Sequence, residues 1–253
     1  MEKLLNHGVL PALPAELAPE PAEALARAPK RERTRRQLID AAVRVFCARG
    51  VAAATLQEVA QVAQMANATV YNHFASKDEL LQATAIWLAD RLCRRIADSC
   101  VDVPEGSERM AIGNRRYLWL AEVAPAWATL LLDVAAASPA LFGTVRGYML
   151  ADLRLGVRQK AFHVTTDAAA ADLVSGTIAQ AMRMTIAGVA SKGHAAAVTI
   201  LVLVGLGMTR TAASEVVRRP LPPLTAPAAA AKQIRLADNR AARRSRGATR
   251  SLL

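Results

Sequence analysis

Apolar residues first recur at helical spacing at Leu38, Ile39, Ala42, Val45 and Phe46, which share one face of a helix. Thr34 with Gln37 three residues later forms a capping-box pattern that predicts where this helix starts, and Gly50 ends it. The pattern then repeats on a shorter scale. Thr55 and Glu58 make a second capping box, opening a short helix through Leu56, Val59, Ala60 and Ala63. Gln64-Met65-Ala66 is a tight connection, and Asn67 to Phe74 is long enough for about two turns. Ser76 with Glu79 opens a longer helix that runs to about Cys100.

Beyond residue 103 the periodicity is helical throughout. A loop, VPEGS, precedes a helix from Ser107 to Ala124, with Met110, Asn114, Tyr117, Leu118 and Ala121 along one side. Pro125 suits the first position of the next helix, over 125–136. Ser138-Pro139 opens another to about Lys160, and Thr166-Asp167 caps a long one to about Ala190. SKGH turns the chain into an apolar helix over 194–209, and a short helix over 211–219 follows. The expected fold is all-α. Four segments emerge: a disordered extension over 1–30, a helix-turn-helix head over 31–80, a larger helical domain over 81–220, and a Pro-rich linker with a basic disordered tail over 221–253.

Composition sharpens this picture. Aromatics are only 4% of the 253 residues, and the formal net charge is +11, which points to an acidic partner, nucleic acid before membrane. The excess is uneven: −1 over 1–30, +2 over 31–80, +4 over 81–220 and +6 over 221–253. In that tail Lys232, Arg235, Arg240, Arg243, Arg244, Arg246 and Arg250 can neutralise phosphates, but nothing positions them against base edges. Cys47, Cys93 and Cys100 have neither CxxC spacing nor an even count, so they read as reduced thiols. The N-terminus lacks a signal-peptide pattern, and the apolar run at 195–208 is short of the roughly 17–25 residues that span a bilayer. A cytoplasmic, nucleoid-associated protein with no membrane partner is expected.

Candidate chemistry concentrates at TVYNHF, residues 69–74, where two aromatics, an amide and an imidazole occupy four consecutive positions. Two short helices joined by a tight turn are the makings of a helix-turn-helix. Val59, Ala60, Ala63, Met65 and Val70 supply the helix contact, leaving Asn67, Thr69, Tyr71, Asn72 and His73 on the remaining surface. Short donors and acceptors on a nearly uncharged helix suit the mixed base edges of the major groove. Lys77 adds a phosphate-seeking cation, and Arg31, Arg33, Arg35 and Arg36 form a basic arm beside it. Asn67 has two readings at this point, helix cap and base reader.

The stretch RRQLIDAAVRVFCARGVAAATLQEVAQVAQMANATVYNHFASKDELL strongly resembles the DNA-binding domain of the tetracycline-repressor (TetR) family of transcriptional regulators. Its landmarks here are Ala41-Ala42, Phe46, Gly50, Thr55, Ala60, Thr69, Tyr71, Phe74, Lys77 and Leu80-Leu81. The resemblance implies phosphate contacts from Thr69, Tyr71 and Lys77, base reading from the start of the recognition helix, and Phe74 as the residue pinning that helix. With the basic arm, the DNA-contact set becomes Arg33, Arg36, Thr55, Asn67, Ala68, Thr69, Tyr71, Asn72, His73 and Lys77. The chain departs from the family at Gln64, where Gly is usual, at Ala66, where Ser is usual, and at Ala68, which replaces a common Gly. Gln64 is then expected in a left-handed conformation, and since Ala66 cannot cap, the cap reading of Asn67 stands beside its reading as a base reader.

The resemblance also implies a repressor that binds a palindromic double-stranded DNA operator as a homodimer and is released by a small, mostly apolar effector. Its pocket is expected among Trp87, Tyr117, Trp119, Leu131, Tyr148, Met149 and Phe162, with Arg115, Glu122 and Arg183 facing inward. The dimer face is expected from Leu173, Thr177, Ala181, Met184 and Gly188, and from Val198, Leu201 and Val202. A ligand-independent architectural DNA-binding protein is the alternative. No catalytic residues, metal site or cofactor are expected, because no activated nucleophile, carboxylate pair, metal spacing or phosphate loop emerges. His163 and His194 lack partners at metal-ligand spacing.

Overall fold

The computed structural model describes residues 28–137 and 139–224. The expected N-terminal extension and basic tail lie outside those residues for nearly all their length, as does Ser138. All regular structure among the described residues is helical: α1 Lys30–Arg49, α2 Leu56–Val62, α3 Asn67–Tyr71, α4 Lys77–Ser99 and α5 Gly106–Val123. Then follow α6 Pro125–Ala137, α7 Pro139–Arg158, α8 Asp167–Ile186, α9 His194–Gly205 and α10 Arg210–Arg218.

Helix ends show which start signals were decisive. The Thr55–Glu58 capping box forms as expected, with Glu58 N–H donating to Thr55 Oγ1 at 3.2 Å and Thr55 N–H donating to Glu58 Oε2 at 2.9 Å. Thr34 does not cap α1. Its hydroxyl donates to the Lys30 carbonyl one turn back, and the helix begins after Pro29, a turn earlier than expected. At α4 the Ser76 hydroxyl accepts from Glu79 N–H, but the Glu79 carboxylate reaches past it to Ala75 N–H at 2.7 Å. α8 ends at Ile186 rather than Ala190 because Gly188 turns the chain at φ 71°. α9 ends at Gly205, since Gly207 at φ 105° and a Thr209 cap start α10.

α1, α2 and α3 form a small head, closed by the first turns of α4 around Leu38, Phe46, Val59, Val70, Phe74 and Leu80, all buried. α5 is the axis of the larger domain, packing against α6, α7, α8, α9 and α10. The head joins this domain twice: α4 runs continuously from one into the other, and α1 packs against α6. Past α10 the chain lies back along α5. Arg115 donates to the Arg219 carbonyl at 2.8 Å, Arg116 donates to the Pro222 carbonyl, and Arg219 pairs with Glu105 and Glu108. Leu224 is buried at the end of this strap. Among the described residues, no helix is long and apolar enough to cross a membrane.

Candidate nucleic-acid interface and effector cavity

The geometry of α3 follows from the turn before it. Gln64 has φ 56°, the left-handed conformation expected from its sequence position. Backbone bonds from Gln64 N–H to the Gln61 carbonyl (3.1 Å) and from Met65 N–H to the Ala60 carbonyl (2.9 Å) close the turn. α3 then starts without a side-chain cap. Ala66 holds the N-cap position in extended geometry and Asn67 is the first helical residue, so the cap reading of Asn67 is corrected. Its amide is exposed and available for another partner.

Val70 and Phe74 are fully buried and anchor α3 from beneath, while the Arg35 guanidinium stacks over the Phe74 ring at 4.8 Å from its centroid. Asn67, Ala68, Tyr71 and Asn72 are exposed, and Thr69 and His73 are half-buried. Tyr71 at 58% exposure is a large aromatic held in solvent, a position that burial energetics alone do not favour. The helix therefore presents a compact row of amide, hydroxyl and imidazole groups on a base that cannot tilt freely.

The flanking candidates serve structural purposes as well. The Thr55 hydroxyl both donates to and accepts from Glu58, so its hydrogen-bonding capacity is largely taken by the cap. Lys77 Nζ donates to the Ala52 carbonyl at 2.8 Å, tying the start of α4 to the α1–α2 loop and leaving further donors on the ammonium. Arg33 reaches the Ala28 carbonyl at 2.8 Å, and Arg36 is half-buried. Two features escaped the sequence reading. Arg35 acts through Phe74, and Arg49 bridges to Glu58 at 2.9 Å, fastening the end of α1 to the cap of α2. The second was within reach, because Glu58 already stood at a cap.

A cavity of about 290 Å³ lies in the larger domain, between α4, α5, α6, α7 and α8. Tyr117, Leu131, Tyr148 and Met149 line it as expected from the sequence. The other candidates lie elsewhere. Phe162 is buried but packs onto Gly156, Trp119 lies under Arg116, and Trp87 lines a separate cavity of about 30 Å³ that shares Leu131 with the first. Glu122 and Arg183 are exposed, and Arg115 is occupied by the C-terminal strap.

Most of the cavity wall is apolar: Ile96, Met110, Leu132, Val145, Val174 and Ile178 are part of it. Its polar groups were mostly missed. The Tyr117 hydroxyl meets Cys93 Sγ at 3.1 Å, and burial, with Cys93 adding to it, pushes the phenol well above its ordinary pKa. Burial also raises the Asp152 carboxyl to about 6, opposed by the Arg109 charge. Arg146 pairs with Asp172 at 3.4 Å. Asn114 is 4% exposed, and its amide nitrogen has no hydrogen-bond partner. Its signal was visible: an amide within an otherwise apolar stripe on α5. Among the described residues, no group of three or more His, Cys, Asp or Glu stands close enough to hold a metal ion.

On α8 and α9, Leu173 and Leu201 are exposed, and Thr177 and Met184 are half-buried. Val204 and Ala197 continue this apolar outer face. Ala181, Val198 and Val202 point the other way, at 5%, 8% and 1% exposure, and belong to the subunit's own core rather than to the expected dimer face.

Comparison with known proteins agrees with both halves of this architecture. Residues 38–84 match the profile of bacterial regulatory proteins of the tetR family, and residues 105–219 match a tetracyclin repressor-like C-terminal domain. The chain is 44% identical over 72 residues to the nicotine-responsive transcriptional repressor HdnoR of Paenarthrobacter nicotinovorans, covering 27% of this chain and 37% of that protein. It is 50% identical over 52 residues to the transcriptional regulator SrpR of Pseudomonas putida, covering 21% and 24%. The matched segments thus span well under two thirds of these relatives. Among solved structures, RolR with resorcinol superposes with a TM-score of 0.65 at 24% identity, over 79% of this chain and 100% of that one. FadR of Bacillus subtilis with stearoyl-CoA superposes with a TM-score of 0.56 at 18% identity, over 68% and 96%. These two likenesses concern the fold. With both its head and its larger domain matched, the chain belongs to the tetR family of bacterial regulatory proteins.

Proposed function

We propose that this protein is a repressor that binds a palindromic operator as a homodimer and leaves it when a small, mostly apolar effector fills the cavity. The observation that carries this reading is the course of α4. Its first turns pack against α1, with Leu80 and Leu81 buried in the same core as Val70 of the recognition helix, and its last turns, at Cys93, Ile96 and Cys100, line the cavity. A ligand that favours one setting of α4 biases the spacing of two heads, and DNA affinity falls by that difference in binding. The second link, α1 against α6, runs parallel to it, because Leu131, Leu132 and Ala135 of α6 also line the cavity. HdnoR, similar over part of its length, is by its name a ligand-responsive repressor.

Dimerisation is assigned to the outer face of the α8–α9 hairpin, where Leu173 at 40% and Leu201 at 57% exposure lie with Thr177 and Met184. Two such hairpins related by a two-fold axis make a four-helix bundle. The test combines light scattering with binding to a selected operator. The wild type is expected at twice the chain mass, and Leu201→Asp is expected as a folded monomer with operator affinity reduced at least tenfold. A monomeric wild type, or a monomeric variant with unchanged affinity, contradicts the proposal. If binding neither prefers one palindrome nor responds to any of a broad set of lipophilic compounds, an architectural role replaces it.

A further inference from the structure

We propose that the cavity recognises a compact, uncharged molecule of about the size of one substituted aromatic ring, through an oxygen acceptor held by the Asn114 side-chain amide and a face laid against Gly113. This deepens the effector reading above and rests on it.

Three observations converge on one turn of α5. Asn114 lines the cavity at 4% exposure, and its amide nitrogen has no partner. A buried amide left unpaired is costly, so an unpaired donor on a side chain of the cavity wall marks the place where an acceptor gains most. Beside it, Gly113 also lines the cavity, and a Cβ built there would meet nothing within 4 Å. Glycine within a helix costs roughly 1 kcal/mol relative to alanine. Neither a positive φ nor a neighbouring backbone requires it at this position. What it provides is open space against the helix backbone, next to the unpaired donor.

The remaining polar groups argue for a neutral occupant. The two cations in the wall each have an acid nearby: Arg146 bonds Asp172, and Arg109 donates to the Val103 carbonyl while its charge acts on Asp152. The Ser175 hydroxyl donates to the Ala171 carbonyl, and Tyr117 is engaged with Cys93. An anion would add a charge whose counter-charges are already matched. At about 290 Å³ the cavity stands at the lower end of small-molecule sites, which fits one ring with a short substituent.

Acetophenone and α-methylstyrene test this directly, since they are near-isosteres that differ in a carbonyl oxygen against a methylene; benzoate is the anionic probe. Affinities of full-length protein are measured by calorimetry, and the ratio of ketone to hydrocarbon binding is compared between wild type and Asn114→Leu. Comparing ratios cancels the unequal solubility of the two probes. The ratio is expected to fall about five- to a hundredfold in the variant, the range for losing a buried hydrogen bond. Gly113→Val is expected to abolish binding of both probes while circular dichroism stays unchanged, and benzoate is expected not to bind. Wild-type protein gives an independent reading, in which the Asn114 side-chain amide resonance moves further downfield with acetophenone than with α-methylstyrene, because only the ketone accepts from it. Binding of both probes with an unchanged ratio in Asn114→Leu, an amide resonance moved no further by the ketone, or benzoate binding above acetophenone overturns this inference and leaves the effector reading standing. If neither neutral probe binds at millimolar concentration and no other lipophilic compound does, the effector reading fails and this inference with it.

Discussion

Gln64 sets the angle between α2 and α3, and it does so in a conformation that costs energy. At φ 56° its Cβ crowds the following carbonyl, a strain of about 1–2 kcal/mol for an L-residue. The side chain is exposed, so substitution there alters conformation more than packing. Gln64→Gly removes the strain but gives the unfolded chain freedom worth about 0.4–1 kcal/mol, which leaves a net stabilisation of about 0.5–1 kcal/mol. For a protein of this size that is a rise in melting temperature of roughly 1–4 °C. Gln64→Val has the opposite sign, because a β-branched side chain tolerates positive φ poorly, at a cost of about 1–3 kcal/mol. The two bonds that close the turn use backbone groups of Gln61, Gln64, Ala60 and Met65, so the glycine variant keeps the turn and its DNA affinity. Thermal denaturation by circular dichroism, with fluorescence anisotropy on a selected operator, reads both effects. A glycine variant that melts lower than wild type, or a valine variant that melts level with it, refutes the reasoning.

Ala66→Ser supplies the missing cap on α3 and is expected to raise stability by about 0.5–2 kcal/mol in denaturant titration. Gly156→Ala places a Cβ 2.3 Å from the Phe162 ring, so the ring must move; a loss of about 1–3 kcal/mol is expected by the same titration. Asp152 has a folded-state pKa raised from 3.8 to about 6, so the folded protein binds the extra proton and stability is lost as pH rises from about 4 to 6. Relative to wild type, Asp152→Asn should therefore gain stability progressively over that window and hold a constant advantage above it. After allowance for solvent screening, that advantage is on the order of 1–2 kcal/mol, and melts at pH 4, 5, 6 and 7.5 check both sign and window.

Much of the fold was legible because helix starts are chemically marked. Thr55, Ser76 and Thr166 each accept a backbone N–H that the helix start leaves free, Pro125 lacks the N–H that would be left free, and each marks a helix start in the structure. Thr34 misled because a threonine inside a helix can bond the carbonyl one turn back, which a sequence pattern does not distinguish from a cap. The exposed face of α3 was also legible, since Val70 on the helix and Phe74 just after it are buried and leave Asn67, Tyr71 and Asn72 on the outer side. The cavity was harder. Trp87, Trp119 and Phe162 are expected in the pocket, but large aromatics fill space, and these three pack on or in the core. Cavity walls are built where small residues and unpaired polar groups leave room, as at Gly113 and Asn114. On α8 and α9, an apolar residue of either face looks alike in sequence, so Val198 and Val202 were assigned outward although they face the subunit core.

The central claim is that α3 reads DNA, with its exposed side chains divided by role, and selection from a randomised double-stranded DNA library at two salt concentrations tests it most directly. Wild-type protein is expected to enrich a pseudo-palindrome with half-sites about one helical turn, roughly 34–36 Å, apart. Tyr71→Phe is expected to weaken binding to all sequences alike, as loss of a phosphate partner does. Asn67→Ala or Asn72→Ala is expected to relax preference at one defined base pair per half-site, by about 1–3 kcal/mol. Selection of no palindrome by the wild type contradicts the account, as does a changed base preference in Tyr71→Phe alongside unchanged preference in both asparagine variants.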